Sequence, residues 1–341
     1  LGTRMIGVTG TNGKTTTKEL IATVLGEKFK VLYTQGNFNN HIGVPLTLLR
    51  LKPEHEMAVI EMGANHPGEI KTLVHIAEPD YGIITNVGKA HLQGFGSFEG
   101  VIRTKGELYD FLREKENSTI FIQNENPYLN KIATGLTCVR YGQTPGLDVT
   151  GKVVSCSPFL RFSWTAEGTS HEVQTHLIGS YNLDNALAAV TIGRYFGVED
   201  AKICHALSSY VPQNNRSQLV HTASNTLIVD AYNANPTSMM AALENFRQME
   251  AAHKVAILGD MKELGEGSHE EHQKVVDFLK ECGFERVMLV GPEFGGTASS
   301  FEHYKDVKEV EALLAAHPLQ GCCVLVKGSN SMKLSELPAS L

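Results

Sequence analysis

No run of about eighteen or more apolar residues occurs in the chain, so nothing in it reads as a helix long enough to cross a membrane. The opening LGTRMIGVTG has no basic stretch leading into a long apolar core, and no secretory leader is expected. Cysteine is sparse: the six, at 138, 156, 204, 282, 322 and 323, form no Cys-x-x-Cys pair, and the last two adjoin within an apolar run. Buried free thiols in a reducing compartment, the cytoplasm, are expected rather than a zinc site or a disulfide framework. Positive charge is not in excess either. Thirty Lys and Arg against 37 Asp and Glu leave a net charge of −7, which gives no reason to expect nucleic acid as a partner, although a local basic pocket for phosphates stays open. No internal repeat, no low-complexity tract and no guanine-reading Asn-Lys-x-Asp is present.

What is there suffices for two domains, possibly three, in 341 residues of ordinary (42%) hydrophobic content. Residues 5–9 are a short apolar, β-branched run, followed by a glycine-containing turn and by helical spacing over 15–25. Buried-strand candidates follow at 57–62, 81–87 and 118–123, with helical segments such as 68–77 and 101–112 between them. That alternation implies an α/β domain built on a mostly parallel sheet. From 148 to 178 polar and apolar residues alternate between turn signals, which reads as a small antiparallel sheet attached to the first domain. Helices are expected at 182–196 and 198–210. The polar stretch VPQNNRS, 211–217, reads as a linker. Strands at 226–231, 254–258, 286–290 and 322–327 then alternate with helices at 238–249, 269–282 and 307–316, a second, Rossmann-like domain. The expected domains are 1–213 and 214–341.

The strongest chemical signal is Thr9-Gly10-Thr11-Asn12-Gly13-Lys14-Thr15-Thr16, between a strand and a helix. Glycines let backbone N–H groups turn toward phosphate oxygens, and the helix N-terminus adds unpaired donors. Lys14 would reach the β- and γ-phosphates and Thr15 would sit on Mg²⁺. The strict P-loop pattern has glycine where this chain has Val8. Glu61, at the end of the run MAVIEMGA, is placed for a magnesium ion beside that loop. His91 and Lys105 are weaker signals: a lone histidine is more often structural and a lone lysine more often a solvated charge. Lys105 does sit among apolar Val101, Ile102 and Leu108. Burial there would lower its pKa, and a neutral amine can take up CO₂ to become an anionic carbamate, a ligand for a hard metal.

The segments GTNGKTT, GNFNNHIGVP, EMGANHPGEI, AHLQGFGS, KGE, GSYNLDNALAA, DAYNANPTS, LGDMKELGE and KGSNSM, in this order over nearly the whole chain, resemble the Mur ligases. The combination of GNFNNHIGVP, EMGANHPGEI and DAYNANPTS is similar to the branch that adds D-alanyl-D-alanine to UDP-N-acetylmuramoyl-tripeptide. The resemblance implies an ATP-dependent ligase of peptidoglycan precursor synthesis, cytoplasmic and monomeric, working through an acyl phosphate with two Mg²⁺ ions. It implies that Thr15 and Glu61 hold one magnesium, and that His91 and a carbamylated Lys105 hold the second. Gly10, Thr11, Asn12, Gly13, Lys14, Thr15 and Thr16 would bind the ATP phosphates. Asn182 and Asn185 would lie near the adenine, Arg216 would reach the phosphates from the second domain, and Asp230 would hydrogen-bond the ribose. Asn37, Asn39 and Asn40 would contact the muropeptide, and a loop of Lys327, Gly328 and Ser329 would face the cleft. The family places a UDP-sugar domain before the loop. Here GTNGKTT begins at Gly10, so a piece holding only the ATPase and C-terminal domains is expected.

Alternatives are a folylpolyglutamate-type ligase of the same superfamily, a P-loop kinase or GTPase, and a non-catalytic nucleotide-binding module. The first is disfavoured by GNFNNHIGVP and DAYNANPTS, and a GTPase by the missing guanine motif. Intact Lys14, Glu61, His91 and Lys105 speak against the module. His269 and His272 are discounted as a metal pair, because Ser268 with Glu271 fits a capping box that starts a helix. Gly295–Gly296 reads as a loop and Trp164 as core.

Overall fold

The computed structural model describes residues 2–213 and 216–341. The expected domain boundary at 213/214, and Asn214 and Asn215 of the expected linker, fall at or outside the limits of the described residues.

Arg4–Thr9 (β1) is buried from Ile6 to Thr9, which only a central strand can be. It pairs in parallel with Met57–Glu61 (β3) on one side and Tyr81–Ile84 (β4) on the other. Val31–Tyr33 (β2) lies outside β3, while Thr119–Gln123 (β5) and Cys138–Gly142 (β6) extend the sheet beyond β4, all in parallel. The expected antiparallel strands exist as Val149–Cys156 (β7), Phe159–Ala166 (β8) and Thr169–Ile178 (β9). They do not form a separate layer. β7 bonds to the edge of β6, giving one nine-stranded sheet in the order β2-β3-β1-β4-β5-β6-β7-β8-β9. Along β8, Leu160, Phe162, Trp164 and Ala166 alternate inward. They share one core with the almost wholly buried helix Asn182–Tyr195 and with the helix Lys14–Gly26. Trp164 is fully buried, as expected of a core residue.

The second sheet runs Gln218–His221 (β10), Thr226–Asp230 (β11), Cys323–Lys327 (β15), Lys254–Gly259 (β12), Arg286–Val290 (β13) and Glu302–Tyr304 (β14) in spatial order. Only β10 is antiparallel to its neighbour. Helices Pro236–Gln248 and Ser268–Cys282 cover one face, and Val307–Ala316 covers the other. Ligands of open α/β sheets bind beyond the carboxyl ends of the strands. Here the two sheets turn those ends toward each other. The residues following β1, the last residues of β3, β11 and β15, and the start of the helix Pro236–Gln248 line one cavity of about 840 Å³. No helix among the described residues is long and apolar enough to cross a membrane.

Candidate active site

The loop after β1 is shaped by two glycines with positive φ, Gly10 at +146° and Gly13 at +76°. A Cβ at Gly10 would stand 1.9 Å from Thr85 Oγ1, and one at Gly13 2.7 Å from Asn185 Oδ1, so neither position admits a side chain. The Thr11 N–H donates to Asn86 O at 3.0 Å and the Asn12 N–H to Asn86 Oδ1 at 2.9 Å. Lys14 opens the helix with its ammonium donating to Thr11 O at 3.1 Å. Burial pushes the Lys14 pKa down; Glu61 opposes this more weakly, and Arg216 adds to the fall.

Glu61 ends β3 in register with Val8 of β1, which sets it beside the loop. Its Oε1 accepts from Thr15 Oγ1 at 3.1 Å and from Asn39 Nδ2 at 2.9 Å. Its Oε2 is buried with no hydrogen-bond partner. A buried carboxylate oxygen left without a donor is costly, and a hard cation on that oxygen would remove the cost. Thr15 and Glu61 therefore fit a magnesium site whose remaining ligands come from phosphate and water. Among the described residues no group of three or more His, Cys, Asp or Glu side chains could hold a metal by itself.

No hydrogen bond joins His91 and Lys105. His91, itself at a left-handed φ of 49°, turns Nδ1 to the carboxylate of Glu263 in the second domain. Lys105 is buried in the helix Phe98–Glu114, its Nζ 3.4 Å from Ala64 O and 5.4 Å from the centre of the Phe95 ring. Burial lowers the Lys105 pKa well below the usual lysine range, and Lys14 lowers it further. The His91 pKa is also lowered, by burial first, with Glu263 pulling the other way. Sequence reasoning missed Glu263, which no local pattern marks.

On the opposite wall, Thr17 Oγ1 donates to Asn185 Oδ1 at 3.0 Å, Asn185 Nδ2 to Asn182 Oδ1 at 2.9 Å, and Asn182 Nδ2 to Ile178 O at 2.8 Å. This chain fastens both asparagines beneath the loop while they line the cavity. Arg216 lays its guanidinium 3.8 Å from the centre of the Tyr232 ring, a cation–π contact that aims it inward. Asp230 accepts from Lys327 Nζ at 2.5 Å. Asn40 lines the cavity and accepts from the N–H groups of Ile42 and Gly43. Lys327 reaches the cavity too, but its ammonium is spent on Asp230. Asn37 is exposed and not among the lining residues, and buried Ser329 lies behind, accepting from the Lys262 N–H at 3.0 Å. Gly328 packs on Gly259.

His272 is structural. Its Nε2 accepts from the Met261 N–H at 3.0 Å, and its Nδ1 lies 2.7 Å from Ser268 O, which makes it a neutral ring with both nitrogens engaged. The helix begins at Ser268, one residue before the expected start, with Gly267 at the cap position and no capping box; Ser268 Oγ donates to Glu293 at 2.6 Å instead. Gly295 closes the short helix Pro292–Gly295 rather than lying in a loop. His272→Leu is expected to destabilise the protein by about 1–3 kcal/mol, the cost of an orphaned buried N–H, with nucleotide affinity unchanged. Chemical denaturation and a binding titration check both halves.

Comparison with known proteins gives the same constellation a lineage. Residues 8–193 match the Mur ligase middle domain and residues 215–330 the Mur ligase glutamate ligase domain. The chain is 37% identical over 353 residues to the UDP-N-acetylmuramoyl-tripeptide–D-alanyl-D-alanine ligase of Bacillus subtilis (strain 168), across 100% of this chain and 76% of that protein. Its fold is similar to a crystal structure of MurF from Acinetobacter baumannii, with a TM-score of 0.90, 32% identity, and 100% and 76% of the two chains covered. It is also similar to MurF ligase from Thermotoga maritima in complex with ADP, with a TM-score of 0.89, 28% identity, and 100% and 79% covered.

Proposed function

Since this chain belongs to the Mur ligase family, we propose that it is an ATP-dependent ligase joining D-alanyl-D-alanine to UDP-N-acetylmuramoyl-tripeptide. The reaction forms a C–N bond and releases ADP and phosphate. The observation that carries this reading is the unpartnered Glu61 Oε2 beside Thr15 in a phosphate-binding loop, with Arg216 and Asp230 of the second domain on the same cavity.

In this reading residues 1–213 form the ATP-binding domain and residues 214–341 the C-terminal domain. Gly10 to Thr16 wrap the phosphates, and Lys14 holds the γ-phosphoryl group as its charge redistributes. Mg²⁺ beside Thr15 and Glu61 would supply Lewis-acid charge neutralisation. A second Mg²⁺ would be held by His91 and a carbamylated Lys105. The terminal carboxylate of the tripeptide attacks the γ-phosphorus and ADP leaves. The amine of D-alanyl-D-alanine then attacks the acyl carbon of the acyl phosphate, losing a proton, and phosphate departs. The protein's part is to hold these groups in line and exclude water. Arg216 contributes from across the domain interface, and Asn182, Asn185 and Asp230 place the nucleoside. Asn40 faces the acceptor side, while Asn39 acts through Glu61. The protein acts as a cytoplasmic monomer.

Phosphate release by the full-length protein tests this, with ATP, Mg²⁺, UDP-N-acetylmuramoyl-tripeptide and D-alanyl-D-alanine omitted one at a time. Release that needs both acceptor substrates, with the pentapeptide seen by mass, is expected. Release without either would leave a plain ATPase, and release with a folate acceptor instead would move the assignment to the folylpolyglutamate type.

A further inference from the structure

Among the described residues, five residue pairs join the two domains by side-chain hydrogen bonds or ion pairs. Lys89 meets Glu271 at 3.0 Å, Tyr181 meets Ser217 at 2.6 Å, Cys156 meets Asn245 at 3.7 Å, His91 meets Glu263, and Asn12 meets Asn235. Among the described residues only the last pair touches the phosphate-binding loop itself. It is also the one made of two primary amides. Asn235 Nδ2 donates to Asn12 Oδ1 at 2.7 Å, and Asn12 Nδ2 donates back to Asn235 Oδ1 at 3.4 Å.

Each asparagine is fixed at its main chain and reaches across with its side chain. Asn12 N donates to Asn86 Oδ1 at 2.9 Å, while Asn12 O accepts from Thr85 Oγ1 at 2.6 Å and Asn86 Nδ2 at 3.1 Å. Asn235 caps the helix Pro236–Gln248: its Oδ1 accepts from the Ser238 N–H at 2.9 Å, and Ser238 Oγ bonds back to the Asn235 N–H at 3.1 Å. Two reciprocal bonds between planar amides form only over a narrow range of domain orientation. A neutral pair also adds no charge beside Lys14 and the phosphates. The approach is close around it. A Cβ at Gly88 would stand 2.9 Å from Thr237 Oγ1 and 3.6 Å from Thr11 Cγ2, and Gly88 N donates to Thr11 Oγ1 at 3.0 Å.

We propose that Asn235 is a positioning residue: through the Asn12 amide it sets the phosphate-binding loop, so that the loop grips the nucleotide fully only with the C-terminal domain docked. This rests on the ATP site proposed above. It goes beyond that site because Asn235 need touch no part of the nucleotide.

The two roles of Asn235 separate by substitution. Serine keeps the helix cap but is too short and lacks the amide N–H that reaches Asn12. Titration of the chain with Mg²⁺ and a non-hydrolysable ATP analogue is expected to show at least tenfold weaker binding for Asn235→Ser, with the nucleotide-free melting temperature within about 2 °C of wild type, as a preserved cap predicts. Asn12→Ala, made from the loop side without touching the cap, is expected to lose at least as much. The double variant should bind within twofold of Asn12→Ala alone. Gly88→Val, which wedges the same contact, should fall with them. Losses that multiply in the double variant, or an Asn235→Ser chain that binds like wild type, overturn the inference while leaving the ATP site standing. A wild-type chain that does not bind the analogue overturns both.

Discussion

Lys14→Met is expected to lower ligase turnover by about three orders of magnitude or more while leaving the nucleotide-free protein at least as stable as wild type. The first half follows from position: in the proposed ATP site Lys14 would be the cation of the phosphate loop, half-buried where the transferring group would pass. The second follows from which influence on it is largest. Burial dominates the fall of its pKa, the attraction of Glu61 is smaller, and Arg216 repels. Among the described residues, the one hydrogen bond its ammonium makes is to Thr11 O at 3.1 Å. Methionine fills similar volume without a charge to desolvate, and exchanges of that kind are often neutral or stabilising. The pH dependence has a definite sign. The unfolded chain holds the Lys14 proton more tightly than the native one, so wild-type stability rises with pH from the depressed native pKa up to the ordinary lysine value of about 10.4. The methionine variant lacks this part of the rise. Denaturation at pH 7 and pH 9, with phosphate release on the same samples, checks both halves. A variant clearly less stable than wild type would make the ammonium a structural tie, and turnover within tenfold of wild type would remove its catalytic part.

The division between legible and illegible residues follows sequence distance. Gly10, Gly13, Lys14, Thr15 and Glu61 were readable because their geometry is local: a buried strand, a tight turn, a helix start and one register step between β1 and β3 bring them together. Most central strands of the two main sheets were readable for the same reason, being short apolar runs between turn signals. β2, β6, β10 and β14 were not, because Val31–Tyr33, Cys138–Gly142, Gln218–His221 and Glu302–Tyr304 are short and only partly buried, without the alternation or apolar run that burial would impose. The attachment of β7 to β6 was invisible, since a hydrogen bond between sheet edges leaves no mark on either sequence.

The site itself divides in the same way. Asn39 was expected on the substrate, and the structure sets it on Glu61 Oε1 at 2.9 Å. Glu263 and Asn235 were missed because their partners, His91 and Asn12, lie in the other domain, 172 and 223 residues away in the chain. Ser268 illustrates the limit of a local rule. Ser-x-x-Glu was present, but the helix starts one residue early with Gly267 at the cap, and the Ser268 hydroxyl makes a charge-assisted hydrogen bond to Glu293 at 2.6 Å.

Lys105→Ala is expected to reduce turnover on the order of a hundredfold or more, and the reason is an inversion of charge. An ammonium at this position would be buried, bonded only weakly to Ala64 O, and repelled by Lys14. Burial therefore shifts Lys105 toward the neutral amine, against the weaker pull of Glu69 and Glu107; the lone pair of that amine can attack CO₂, so that the N–C bond forms, the nitrogen loses a proton, and a carbamate anion results. Lys14 would then attract what it repels as an ammonium, and the carbamate would supply an anionic oxygen without any further acid in the sequence. The wild-type protein should lose activity in decarbonated buffer and regain it with bicarbonate, and Lys105→Ala should show neither response. Carbon-13 bicarbonate should give a carbamate carbonyl resonance in wild type that the variant lacks. Lys105→Glu, which supplies a shorter fixed anion, should retain more activity than the alanine variant. A wild-type protein indifferent to decarbonation and without that resonance would return Lys105 to the role of a buried neutral amine packed against Phe95.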